Sequence, residues 1–187
     1  MAEYSVALII VLGLVLAAEF VNGWTDAPNA IATVVSTRVL KPRTAVIMAA
    51  ILNMLGAMSG TAVAMTIGKD IVRPEAINLI TVGAAMFGII FWSTLAWYYG
   101  LPTSETHALV SGLAGAGIAT AGPSVLLWAG WQKVLIGLAF STILGFSVSW
   151  FIITIISRFF RSGTPGKSRK IFGRLQLISS AFMALEK

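Results

Sequence analysis

The sequence contains no cysteine. Disulfide frameworks, thiolate nucleophiles and cysteine metal sites are therefore excluded. It has a single histidine, His107, so no paired-histidine metal motif can form. Charge is scarce as well. Only 11% of residues are Asp, Glu, Lys or Arg, against about 25% in a soluble domain. With so little for water to solvate, and a mean hydropathy of +0.89, the chain reads as an all-α integral membrane protein. There is no Gly-x-x-x-x-Gly-Lys-Ser/Thr loop, so ATP-driven work lacks its phosphate cradle. No Ser/His/Asp set assembles, so the chain does not read as an enzyme, and no cofactor is called for.

The charge that is present is mostly positive, with 13 Lys and Arg against 7 Asp and Glu. These bases cluster in short loops beside apolar spans. That pattern sets orientation by the positive-inside rule and does not call for nucleic acid. Met1-Ala2-Glu3-Tyr4 lacks the positive start of a signal peptide, so the first span is expected to be retained.

The apolar runs predict a multi-span helical bundle. Tyr4 to Val21, Thr44 to Ile67, Ala76 to Tyr99 and Val134 to Ser157 are each long enough to approach a bilayer's ~30 Å core. Asn53 is expected to make an interhelical hydrogen bond. Gly56 and Gly60, and the series Gly137, Ser141, Gly145 and Ser149, predict small-residue packing faces. Thr103 to Ala121, rich in Gly and Ala, is expected to pack inside protein. Lys69 to Glu75 reads as an exposed loop. Residues 1–157 form the spanning repeat, and residues 158–170 a flexible, basic, cytoplasmic loop. Residues 171–187 begin a further helix, amphipathic through Leu175, Ile178, Phe182 and Leu185.

Two polar stretches interrupt this pattern: Asn22-Gly23-Trp24-Thr25-Asp26-Ala27-Pro28-Asn29-Ala30 and Gly100-Leu101-Pro102-Thr103-Ser104-Glu105-Thr106-His107-Ala108. Both are expected to be broken or re-entrant helices, the first restarting near Pro28, which suits a first helical turn. Glu19, Asp26, Glu105 and His107 all fall within apolar surroundings. A charge at mid-membrane costs about 2.5–3.5 kcal/mol even on the mild insertion scale, which makes such residues functional candidates. Bland readings stand beside this one. Asp26 also fits a helix cap, Glu19 an interfacial ion pair, His107 a packing residue and Glu105 a first-turn acid.

A helix restarting at a break presents free N–H groups and the positive end of its dipole, which favour an anion. Carboxylates and freed carbonyls favour a small cation. Asn22, Thr25, Asn29, Thr103, Ser104 and Thr106 offer hydroxyl and amide groups to an oxyanion. Asp26, Glu105 and His107 are the candidates for coupling to Na⁺ or H⁺, with Asp26 the candidate Na⁺ ligand.

These residues carry a resemblance. Asn22, Gly23, Asp26, Asn29 and Ala30 match the Asn-Gly-x-Asn-Asp-x-Ala-Asn-Ala signature of the inorganic phosphate transporter (PiT) family, with Thr25 and Pro28 departing from it. Pro102, Ser104, Thr106, His107 and Ala108 match that family's Pro-x-Ser-x-Thr-His-Ala motif. Glu105 stands there where a hydroxyl residue is more usual. The resemblance implies cation-coupled symport of inorganic phosphate through an inverted-repeat fold. It places Asp26 and Asn29 in the ion and phosphate site, with Ser104 and Thr106 donating to phosphate. The departure at Glu105 allows it to carry a proton or to ligate Na⁺. Related permeases handle sulfate, which is the alternative anion.

The resemblance also implies two such halves. Gln176 to Leu185 looks like the lead-in to a second signature, which does not follow before Lys187. The expectation is an N-terminal half that works with a complementary C-terminal half or as a homo-oligomer, multi-pass in the plasma membrane. The competing expectation is a non-transporting half that binds a membrane partner.

Overall fold

The computed structural model describes residues 5–59, 70–161 and 165–185. Among these the regular structure is helical: α1 (Val6–Ser36), α2 (Pro42–Ser59), α3 (Leu79–Tyr98), α4 (Glu105–Ala121), α5 (Trp128–Phe160) and α6 (Pro165–Leu185). Three of them, α1, α3 and α5, are long and apolar enough to cross a membrane. The parts of the expected features at residues 1–4, 60–69, 162–164 and 186–187 lie outside the described residues.

The first expected break is absent. α1 is one helix of 31 residues with Pro28 inside it. Its length of about 46 Å exceeds a bilayer core. The local side chains favour continuity. Thr25 Oγ1 lies 2.9 Å from the Val21 carbonyl one turn back, and Asn29 Nδ2 donates to Asp26 Oδ1 at 2.9 Å. In an apolar surrounding, helix is the cheapest way to pair backbone groups, and proline is tolerated there. The price is local: Pro28 has no N–H to give to the Trp24 carbonyl.

Contacts divide the chain into two units, residues 1–29 with 60–131, and residues 30–59 with 132–187. In the first unit α3 and α4 pack antiparallel. A Cβ on Gly112 would lie 3.2 Å from the Ala85 carbonyl oxygen, and one on Gly117 would lie 2.9 Å from Val72 Cγ1, so α4 needs glycine for these approaches. Asn78 caps α3 by accepting from Thr81 N at 2.9 Å. Thr81 Oγ1 meets Thr120 Oγ1 at 3.1 Å. The loop before α3 is exposed at Arg73, Pro74 and Glu75, but Ile71 and Val72 are fully buried. There Arg73 N donates to Val125 O at 2.9 Å and Leu127 N to Ile71 O at 3.1 Å. Gly130 passes so close to the Asp70 carbonyl that any Cβ would overlap it.

In the second unit the C-terminal part of α1, α2 and α6 share a core of Ala30, Ile31, Val34, Ala45, Ala49 and Ala184. A Cβ on Gly56 would overlap the Leu185 carbonyl, so that glycine is a packing residue, as expected. Asn53 Oδ1 is buried without a partner, so the interhelical hydrogen bond expected of Asn53 is not accepted at that oxygen. The Gly137 to Ser149 stripe is exposed, and no atom comes within 4 Å of a Cβ built at Gly137 or Gly145. The basic stretch expected to be a flexible loop is largely helical. α5 continues to Phe160 and α6 starts at Pro165, since proline at a first helical position loses nothing.

Candidate functional site

The second expected break is present and sharply built. α3 ends at Tyr98, and Gly100 takes φ +67°. Gly100 N donates to Trp97 O at 3.0 Å and Leu101 N to Ala96 O at 2.8 Å. This is a left-handed helix stop, for which glycine pays no steric cost. Pro102 then prevents the helix from resuming. Ser104 becomes the N-cap of α4, accepting from His107 N at 3.5 Å. Glu105 is the first residue of α4.

That position brings Glu105 to the polar stretch of α1. Thr25 Oγ1 lies 3.0 Å from Glu105 Oε1, and Ser93 Oγ of α3 donates to Glu105 Oε2 at 2.8 Å. One carboxyl group thus engages hydroxyls from two other helices. Trp24 packs edge-to-face on Trp97 at 4.8 Å between ring centres, fixing α1 against α3 beside it.

A cavity of about 220 Å³ opens at this junction. It is lined by Thr25, Asp26 and Asn29 from α1, by Gly100, Leu101, Pro102 and Thr103 of the break, and by Trp97 and Glu105. At ~30 Å³ per water, it has room for a small hydrated ion. Its wall carries, among the described residues, two carboxyl groups and no basic side chain. Among the described residues no three His, Cys, Asp or Glu converge. The lone pairs that Thr25, Asp26, Asn29, Thr103 and Glu105 bring to the wall are on oxygen, the ligand type of a hard cation.

A larger cavity of about 590 Å³ lies on the α3–α4 side of the same break. Pro102 and Thr103 line both cavities, while Ser104, His107, Ser111 and Trp92 line the larger one alone. Of the sequence-derived candidates, Thr25, Asp26, Asn29, Thr103 and Glu105 therefore meet around the smaller cavity. Ser104 and His107 face the larger one. Asn22, half-buried on α1, and Thr106, exposed on α4, line neither. Glu19 is exposed on α1. Ser93 escaped sequence reasoning; its one signal is a small hydroxyl residue in the middle of an apolar span.

No solved structure matches the chain. It is 40% identical over 178 residues to a protein of Bacillus subtilis named probable low-affinity inorganic phosphate transporter, covering 94% of this chain and 54% of that one. A Streptomyces halstedii protein of the same name is 42% identical over 183 residues, covering 96% and 84%. One from Rhizobium meliloti is 37% identical over 187 residues, covering 98% and 56%. The chain thus spans about half the length of the Bacillus and Rhizobium relatives. The phosphate transporter family's profile matches residues 22–187, taking in both polar stretches. On that match and these identities, the chain belongs to the phosphate transporter family.

Proposed function

We propose that this chain forms one repeat of an inverted-repeat secondary transporter that moves inorganic phosphate in symport with Na⁺ or H⁺. The observation that carries the reading is the cavity at the α1–break junction, whose wall, among the described residues, holds Asp26 and Glu105 and no basic side chain. A phosphate anion entering there meets like charge. A Na⁺ or a proton taken up first removes that opposition, which ties the anion's entry to the cation's.

Asp26, with the Trp24 carbonyl that Pro28 leaves without its helical donor, is the proposed Na⁺ site. A proton has a place as well. Thr25 Oγ1 has one hydrogen and three acceptors in reach, Val21 O at 2.9 Å, Glu105 Oε1 at 3.0 Å and Asn22 O at 3.4 Å. A proton carried on Glu105 would be donated to Thr25 Oγ1 while Thr25 donates to Val21 O. Asn29 and Thr103 supply donors to phosphate beside it. Ser104, Thr106 and His107, at the start of α4, are proposed to meet the anion from the side of the larger cavity.

In this reading the repeat acts with a complementary half, or with a second copy in the opposite orientation, as a multi-pass protein of the plasma membrane with its basic 158–174 stretch in the cytoplasm. The test is radiolabelled phosphate uptake in phosphate-starved cells lacking their own carriers. The chain is expressed alone and with a polypeptide supplying the second half. Uptake in the pair, dependent on Na⁺ or pH, is the expected result. Sulfate uptake without phosphate uptake would reassign the anion. Uptake of neither, with both polypeptides in the membrane, would overturn the transport reading and leave a non-transporting subunit that binds a membrane partner.

A further inference from the structure

The second unit concentrates positive charge in a way the transport site does not use. Among its described residues there is no acidic side chain at all. Two basic segments far apart in sequence meet within it. The first is the turn after α1, with Arg38, Lys41 and Arg43, all exposed. The second is the start of α6, with Arg169, Lys170 and Arg174, also exposed.

Two contacts join these segments, and a third brings in the end of α5. Thr37 Oγ1 lies 2.9 Å from Gln176 Oε1. A Cβ on Gly173 would lie 3.5 Å from Val39 Cγ2, so α6 passes close to the turn. Phe160 packs on Phe172 at 4.9 Å between ring centres, bringing in the end of α5 with Arg158. Arg169 precedes Gly173 by four residues, which puts it on the helix face that meets the turn.

The backbone singles out Arg38. It is the one non-glycine residue with positive φ among those described, at 59°. It terminates α1, with Val39 N donating to Val34 O at 2.9 Å and Leu40 N to the same oxygen at 3.0 Å. Glycine is the residue this cap favours, because any side chain is strained in it. An arginine there accepts backbone strain and puts an exposed cation on the turn that α6 approaches.

Around the cations lie large exposed apolar side chains: Phe159 is 76% exposed, and Leu175 and Ile178 are exposed on α6. Phosphate-binding groups over a greasy surface are the two halves of a phospholipid's chemistry. We infer that the turn at Arg38 to Arg43 and the start of α6 together form a binding site for the headgroup of an anionic phospholipid, with its acyl chains along α5 and α6. The shared chemistry is a phosphate group. The apolar surround selects its lipid-borne form over the free ion.

The test reconstitutes the chain in phosphatidylcholine vesicles carrying spin-labelled phosphatidylglycerol or spin-labelled phosphatidylcholine. The motionally restricted fraction of each label gives their relative association with the protein. Phosphatidylglycerol is expected to be preferred. Arg38→Gly suits the backbone it replaces, so it leaves the fold intact while removing the charge. It and Arg169→Gln are each expected to lower the preference about fivefold. Lys133→Gln makes the same charge change about 40 Å away along α5 and is expected to leave the preference within twofold. Equal losses in all three variants would mean bulk charge attraction and overturn the site, as would no preference for phosphatidylglycerol in the parent chain. Displacement of the label by millimolar inorganic phosphate would assign the cluster to the free ion and overturn the lipid assignment.

Discussion

The Thr25 hydroxyl and the Glu105 carboxyl group stand 3.0 Å apart across 80 positions of sequence. Ser93 holds the other oxygen of Glu105 at 2.8 Å and is itself fully buried. Ser93→Ala removes this donor, and a hydrogen bond to a charged group is worth about 1.5–3 kcal/mol. The expected outcome in the complemented transporter is a roughly tenfold loss of uptake at low phosphate, with membrane expression kept. Ser93→Thr, which restores a hydroxyl, is expected to recover most of it. Initial rates across a phosphate series decide the matter. Unchanged kinetics in the alanine variant would mean Glu105 needs no support from α3.

Asp26 occupies the same cavity from α1, with Asn29 Nδ2 at 2.9 Å from its Oδ1. Asp26→Asn keeps the size and removes the charge that is proposed to hold the cation. Uptake is expected to vanish while expression persists. A variant that transports normally would remove Asp26 from the site.

The second break was legible because its chemistry is local. Gly100 stops a helix, Pro102 blocks its return, and Ser104 starts the next. The first break was misread for a physical reason. Asn22, Gly23 and Pro28 weaken a helix in water, but Thr25 and Asn29 bond within their own turns and the apolar flanks penalise any open backbone. The pairing of Glu105 with Thr25 and Ser93 was out of reach, because it depends on how α3, α4 and α1 pack. Arg38 shows the same limit. Its charge is plain in the sequence, but its left-handed backbone and its proximity to α6 come from the fold.

Continuity of α1 through Pro28 has its own consequence. Pro28→Ala supplies the missing N–H to the Trp24 carbonyl without requiring any change of path. Proline inside a helix costs about 3 kcal/mol relative to alanine, so the variant is expected to raise the thermal midpoint of the detergent-solubilised protein. If the Trp24 carbonyl serves the cation, uptake is expected to fall at the same time, with the larger loss at low Na⁺. A lowered midpoint would argue that the native helix is interrupted there after all.

Glycines that sit alike in the sequence differ sharply in the fold. A Cβ at Gly56 would overlap the Leu185 carbonyl, whereas one at Gly137 meets nothing within 4 Å. Gly56→Ala must push α6 away from α2, and forcing an extra carbon into a packed contact costs about 1–3 kcal/mol. Its thermal midpoint is expected to drop by several degrees. Gly137→Ala adds a better helix former to an exposed face of α5 and is expected to gain about 0.5–1 kcal/mol. This second result carries more information. If Gly137→Ala instead impairs uptake in the complemented transporter while the isolated chain is stabilised, the Gly137 to Ser149 stripe is the face against which the second half packs. If it stabilises both, the stripe faces lipid in the assembled transporter too.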